Sequence, residues 1–383
     1  MSKLINPTRR NILKLSGITA LSSIAPLSFA ASIIDSAVTT IDNKHIWQPY
    51  DQSIIIDGLS AIFDYDVSVF SKEHLALLRQ SGITAINATV PYPGDDYEAA
   101  NDKIATVLTL IAHHPTHLKL ITRVVDLVEA KRHQQIGVII GFQSTEMFGN
   151  DLANIGHFAK LGARYMQLSY NGPSQYGSGG LVKQDHGLTP LGIEALAEME
   201  SNRVLVDLSH SGKQTVATAI SHSTRPLTLS HTGCNGVYQH PRNNDDAELK
   251  AIADKGGVVG LYLMPFLEGG DGEITAESLM KHIDYAINLC GEDHVAIGSD
   301  QGVLPVNDGP EYREMIRQDV IRRKAAGISA PGESANRPPF IPQLNTIRRM
   351  ELIGYYMEKR GHSSAVIEKV LGTNLVSLYE KVW

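Results

Sequence analysis

From residue 53 onward, short apolar runs alternate with segments whose apolar positions recur at helical spacing. The runs are Ser53–Asp57, Ile83–Val90, Ile136–Gln143, Arg164–Tyr170, Val204–His210, Leu227–His231, Val258–Leu263 and Val295–Asp300. Strand-length runs separated by amphipathic stretches predict a parallel sheet covered by helices. A further run, Leu118–Thr122, is shorter and weaker and falls outside that set. A closed barrel and an open doubly wound sheet differ in where their polar residues fall. Gln143, Tyr170, His210, His231, Tyr262 and Asp300 stand at the ends of apolar runs, the rim where barrels carry their chemistry. No G-x-G-x-x-G follows the first run, so the dinucleotide-binding form of the open sheet lacks its fingerprint. The expected fold is α/β: a single (β/α)8 TIM barrel over residues 53–383, ending in C-terminal helices.

The first thirty residues follow a different pattern. Arg9 and Arg10 precede a moderately apolar run from Leu15 to Pro26, and Ser28-Phe29-Ala30 resembles an A-x-A cleavage site. This is an export signal of the twin-arginine kind. It predicts a periplasmic or otherwise exported protein with a signal at 1–30 and a lead-in segment at 31–52. The apolar run is too short to span a bilayer, so no stable membrane anchor is expected after its removal. Cleavage takes away Lys3, Arg9, Arg10 and Lys14 and no acid, so the net charge of −7 deepens by four. An acidic body disfavours nucleic acid as a partner. The two cysteines, Cys234 and Cys290, form no disulfide framework, and the proline-studded stretch from Ile328 to Pro342 reads as the one long loop.

Two consecutive runs close in Ser-His: Val204-Leu-Val-Asp-Leu-Ser-His210 and Pro226-Leu-Thr-Leu-Ser-His231. On adjacent barrel strands both imidazoles come to one mouth, which suits a zinc ion that needs neutral nitrogen donors. Ile297-Gly-Ser-Asp300 adds an aspartate able to ligate a metal or take a proton. Asp57 and Asp207 read either as orienters of ligand side chains or as rim salt bridges. Cys234 reads as an inert packed thiol, Glu146 as a solvated loop acid, and His113, His114, His117 and His133 as solvent-facing.

Together these motifs carry a resemblance. Asp-Leu-Ser-His, Leu-Ser-His-Thr-Gly, His240-Pro-Arg242-Asn-Asn-Asp-Asp, Ile-Gly-Ser-Asp and the closing Ile367-Glu-Lys-Val-Leu-Gly-Thr-Asn374-Leu resemble, in order and spacing, the renal dipeptidase group of metallohydrolases, peptidase family M19. The resemblance runs from about Asp57 to Trp383. It implies a zinc-dependent, homodimeric barrel acting on small peptides. By position, His210 and His231 would bind metal, Arg242 would hold the substrate carboxylate, Tyr262 would contact the reacting carbonyl and Asp300 would move protons.

The chain also departs from that group. Where the family has Asp-Gly-His-x-Asp, this chain has Asp57-Gly-Leu59-Ser-Ala61, so both ligands of one metal are missing. Gln143 replaces the carboxylate that bridges two metals, and a neutral amide is a poor bridge. Tyr170 stands where the family has a substrate-contacting histidine. The expectation is therefore a single-zinc site of His210, His231 and Asp300, with Gln143 and Tyr170 beside the substrate. Its activity is hydrolysis of dipeptides or dipeptide-like amides. The alternative is a non-hydrolytic enzyme or a binding protein on the same barrel, acting on a modified amino acid or peptide-derived compound.

Overall fold

The apolar runs form strands, most of them drawn in from the bounds the sequence suggests. In a computed structural model, residues 46–63, 69–270, 272–325, 329–334 and 336–383 are described. The export signal at 1–30 and most of the lead-in lie outside those residues. In chain order the strands are β1 Ile56–Ala61, β2 Ala85–Thr89, β3 Leu118–Leu120, β4 Ile136–Phe142, β5 Ala163–Gln167, β6 Leu205–Asp207, β7 Thr228–Thr232, β8 Val258–Leu261, β9 Val295–Ile297 and β10 Gln301–Gly302. They pair in parallel in the order β1-β2-β4-β5-β6-β7-β8-β9. After Asp300 the chain resumes pairing as β10, which lies parallel to β1 with Ser60 opposite Gln301, so the ring closes. β3 pairs only with the lower half of β4 and stays outside the ring, as its weak pattern predicted.

One boundary differs in a way that bears on the site. The first strand was expected over Ser53–Asp57 but runs over Ile56–Ala61, every residue of it buried. Leu59 and Ala61 are thus strand residues facing protein, 2% and 6% exposed.

Helices cover the ring: α1 Lys72–Gln80, α2 Tyr97–His113, α3 Val124–Arg132, α4 Ala153–Lys160, α5 Pro190–Ser201, α6 Lys213–His222, α7 Asp246–Asp254 and α8 Ala276–Cys290. Their ends follow local rules. Ser71, Asp96 and Thr189 accept the N–H three residues on, and Asp245 with Glu248 forms a capping box. Beyond the ring come α9 Pro310–Ala325, α10 Arg349–Lys359, α11 Ser364–Glu368 and α12 Asn374–Val382.

The core has two parts. Strand side chains facing the helices make the larger one. The smaller gathers Ile56, Ala85, Ile139, Tyr165, Leu205 and Ala296 with Leu375, Leu378, Tyr379 and Val382 of α12. The Tyr165 and Tyr379 hydroxyls meet at 2.7 Å. The closing motif therefore has a structural role. Asn374 Nδ2 donates to the carbonyls of Glu292 and Val295, both at 2.8 Å. A Cβ at Gly372 would fall 1.9 Å from the Ile54 carbonyl oxygen, so glycine lets α12 dock. The end of the lead-in packs into the larger part of the core, with Trp47 and Tyr50 buried.

Candidate active site

At the end of β6, buried Asp207 accepts two backbone N–H groups on Oδ1, from Ser209 at 3.0 Å and Ser230 at 2.9 Å. Its Oδ2 accepts the Ser230 hydroxyl and, at 2.9 Å, Gln167 Nε2. Because the Ser230 proton is committed to Asp207, its oxygen accepts from His231 Nδ1 at 2.7 Å. His210 Nδ1 donates to Asn171 Oδ1 at 2.8 Å. These partners assign both tautomers. Each ring carries its proton on Nδ1 and presents a bare Nε2.

The two Nε2 atoms face each other at 2.8 Å. His231 is fully buried and His210 6% exposed. Burial, followed by the charge of Arg242, holds both imidazoles well below their ordinary pKa, so a bridging proton is disfavoured. Two facing lone pairs without a proton suit a cation. Nitrogens sharing one tetrahedral zinc stand roughly 3.3 Å apart, so the pair needs only a small adjustment to hold one ion. A second cation is already close: Arg242 Nη2 donates to His210 Nε2 at 3.0 Å.

Among the described residues, no third His, Cys, Asp or Glu stands with the pair in a group able to hold a metal ion. Asp300, expected as the third ligand, lines the same cleft as His210 without joining the pair in such a group. A two-ion centre has still less support, since buried Leu59 and Ala61 bring no donor. Gln143, just past the end of β4, carries a neutral oxygen, Oε1. It is buried without a hydrogen-bond partner, while Gln143 Nε2 donates to Thr89 Oγ1 at 2.7 Å.

Asp300 is held by the same device as His231. Asp57 accepts the Ser299 N–H at 2.7 Å and the Ser299 hydroxyl, just as Asp207 holds Ser230. Asp57 and Asp207 are therefore orienters of the residue that follows a serine on the neighbouring strand. Burial pushes the Asp300 carboxyl up to about 7, opposed by Arg242 and aided by Asp57. Four non-glycine residues among those described have positive φ. Gln134 and Arg203 follow helix ends, and the other two are His210 at 68° and Asp300 at 56°. Left-handed backbone at side chains of this kind is a mark of functional sites.

These groups floor a cleft lined by Tyr170, Asn171, His210, Arg242 and Asp300. Its roof is α9, with Ile316, Val320 and Arg323, together with Ala330, Glu333 and Arg337 of the proline-studded loop. Arg323 and Glu333 pair through two hydrogen bonds, at 2.9 and 2.8 Å. His240 stacks on Phe266, with ring centroids 4.5 Å apart, and meets the Pro331 carbonyl oxygen at 2.7 Å through Nε2. Sequence reasoning missed this roof and Asn171, because neither carries a motif.

The other site residues divide. Tyr170 lies in the cleft, stacked on His210 at 4.1 Å between centroids. Tyr262 does not line the cleft. It is fully buried and its hydroxyl donates to Asn243 Oδ1, so contact with a reacting carbonyl is not pre-formed. Cys234 is buried with its thiol pushed up by burial, and Glu146 is exposed, both as expected. His114 is a correction. It is buried and its Nε2 accepts the Phe70 N–H at 3.0 Å.

The sequence profile of the family described as membrane dipeptidase (peptidase family M19) matches residues 67–326. A Klebsiella pneumoniae protein from the pqqA 5′ region is 26% identical over 301 residues, spanning 76% of this chain and 98% of that one. A Schizosaccharomyces pombe protein described as an uncharacterized dipeptidase is 26% identical over 276 residues, 68% of this chain and 64% of that one. Among solved structures, an amidohydrolase from Pseudomonas aeruginosa superposes with a TM-score of 0.75 at 29% identity, covering 88% of this chain and 98% of its own.

Proposed function

The chain belongs to the membrane dipeptidase family, peptidase family M19, and from that membership we propose an exported hydrolase of dipeptides or dipeptide-like amides that works with one zinc ion. The observation that carries the single-ion reading is the facing Nε2 pair of His210 and His231 at 2.8 Å. Both proton-bearing nitrogens are already engaged. Gln143 Oε1, buried and unpartnered, would be the neutral protein donor beside the pair, and zinc held there would supply the Lewis acidity that lowers the pKa of water and polarises a carbonyl.

The protein's own groups do the rest. Arg242 binds the substrate carboxylate through its planar fork. Asp300, with a carboxyl near 7, takes and returns a proton close to neutral pH. Tyr170 covers one face of His210 and narrows the approach to it. The roof of α9 and the loop after it keeps bulk water from the floor, where electrostatic contacts gain strength.

Export through the twin-arginine route, suggested by Arg9 and Arg10, places this activity in the periplasm, and the family resemblance suggests a homodimer. Among the described residues no helix is long and apolar enough to cross a membrane. A second reading, a non-hydrolytic enzyme or a binder for a modified amino acid or peptide-derived compound, is favoured by one observation. The Tyr262 hydroxyl is tied to Asn243 instead of facing the cleft.

The test is hydrolysis of a dipeptide panel by mature protein with zinc and after chelation. Slow turnover that disappears on chelation supports the hydrolase. Zinc binding without turnover of any member supports the second reading.

A further inference from the structure

Arg242 stands in an unusual position for a residue that receives a carboxylate. The residue is buried, 5% exposed, and among the described residues its side-chain hydrogen bond goes to His210 Nε2 at 3.0 Å. That nitrogen has one lone pair. His210 Nδ1 carries the proton and donates to Asn171, and His231 Nε2 faces the same point. The lone pair that accepts from Arg242 is therefore the one a metal ion would take.

The Arg242 backbone is fixed independently of its side chain. Its N–H donates to His240 Nδ1 at 3.1 Å and its carbonyl accepts from Thr232 Oγ1 at 3.1 Å. Movement is thus confined to the long side chain, which touches His210 and lines the same cleft as Tyr170, Asn171 and Asp300.

We propose that Arg242 couples metal binding to carboxylate binding: it competes with the metal for His210 Nε2 and gives that nitrogen up when a carboxylate engages its guanidinium. This rests on the single-metal reading above. The competition is electrostatic as well as steric, because a fixed positive charge beside the imidazole pair opposes a dication in a buried site. A carboxylate neutralises that charge and supplies better acceptors than one imidazole nitrogen. Linkage makes the effect reciprocal: whatever a carboxylate adds to metal affinity, the metal adds to carboxylate affinity. A zwitterionic or carboxylate-bearing substrate would then load with its ion as a unit, and a neutral amide of the same size would not.

The experiment is a zinc titration of the mature protein against a chromophoric chelator, with propionate, with propionamide, and with neither. Propionate has no bond for the enzyme to cleave, and propionamide keeps the shape without the charge. Propionate should tighten zinc binding by roughly 5- to 150-fold, the usual range of such couplings, while propionamide leaves it unchanged. Arg242→Met should bind zinc more tightly than wild type in plain buffer and show no response to propionate. The comparison within the wild type needs no variant, so a folding failure of Arg242→Met leaves it decisive. Zinc binding that is indifferent to propionate overturns the coupling and spares the single-metal reading. Absence of zinc binding in every arm overturns both.

Discussion

Asp207 holds both the backbone N–H and the hydroxyl of Ser230, the residue that precedes His231 on the next strand. The same relationship recurs across the ring closure, where Asp57 holds the N–H and hydroxyl of Ser299, the residue before Asp300. A buried carboxylate on one strand thus sets the position of a chemical group on its neighbour, twice in one barrel. Outer groups of this kind fix the tautomer and ring orientation of metal-binding histidines.

Asp207→Asn follows directly. The Ser230 hydroxyl loses its carboxylate acceptor and is free to turn its proton toward His231 Nδ1, which moves the imidazole proton to Nε2 and blocks the lone pair. Zinc affinity should fall about 10- to 100-fold with the fold retained, measured by competition titration and circular dichroism. Unchanged affinity would mean that Ser230 does not set the tautomer.

The buried carboxylates predict a pH dependence of stability. Burial raises Asp300 to about 7 and Asp57 to about 6, both above their ordinary value near 3.8. The folded state therefore holds protons that the unfolded chain has released. The associated stability is full below about pH 4 and is lost as pH rises through 6 to 7. Buried His210 and His231, held below their ordinary pKa, act in the opposite sense, so the carboxylate contribution is read as the Tm difference between metal-stripped wild type and Asp300→Asn, which should move in the variant's favour as pH rises through 6 to 7. Asp300→Asn should raise Tm at pH 8 by about 2–4 °C and abolish turnover. A Tm difference between the two proteins that does not change across the interval contradicts the assignment.

Tyr262→Phe separates two roles. With its hydroxyl tied to Asn243 and its side chain outside the cleft lining, removing that hydroxyl should cost about 1–3 kcal/mol of stability by leaving Asn243 Oδ1 buried and unpaired. Its effect on kcat should stay within about tenfold, less than the 10²-fold or more that loss of a donor to the developing oxyanion costs. A larger loss of kcat at unchanged stability would restore Tyr262 to the reacting carbonyl.

Much of this architecture was legible in the residues. Polar residues closing apolar runs announced the rim, and the paired Ser-His endings announced His210 and His231, because strand alternation and barrel adjacency leave little freedom. Two things were not legible. Asp207 and Asp57 had an orienting and a salt-bridging reading that pattern cannot separate, since the choice depends on which atom of the next strand lies opposite. The roof of α9 and the loop after it carries no motif, and its lining residues reach the cleft only through long-range packing. How closely Asp300 approaches the histidine pair was not legible for a related reason: the residue is at the expected strand end, but sequence order does not determine convergence within an ångström.

The missing ligands predict a gain of function. Gln143→Glu is tolerated locally, because the Thr89 hydroxyl that accepts from Gln143 Nε2 can donate to a carboxylate instead. Leu59→His with Ala61→Asp buries polar groups in β1 and should cost about 1–3 kcal/mol until metal satisfies them. The triple variant should take up a second zinc and hydrolyse dipeptides faster than wild type. Uptake of a second ion with no gain in rate would contradict this account of the missing ligands.

The central claim is that His210 and His231 together hold one ion and no more. Elemental analysis of mature protein, dialysed after incubation with excess zinc and compared with His231→Ala, tests it most directly. The account predicts one equivalent of zinc in the wild type and none in the variant. Two equivalents in the wild type, or one equivalent surviving in His231→Ala, would contradict it.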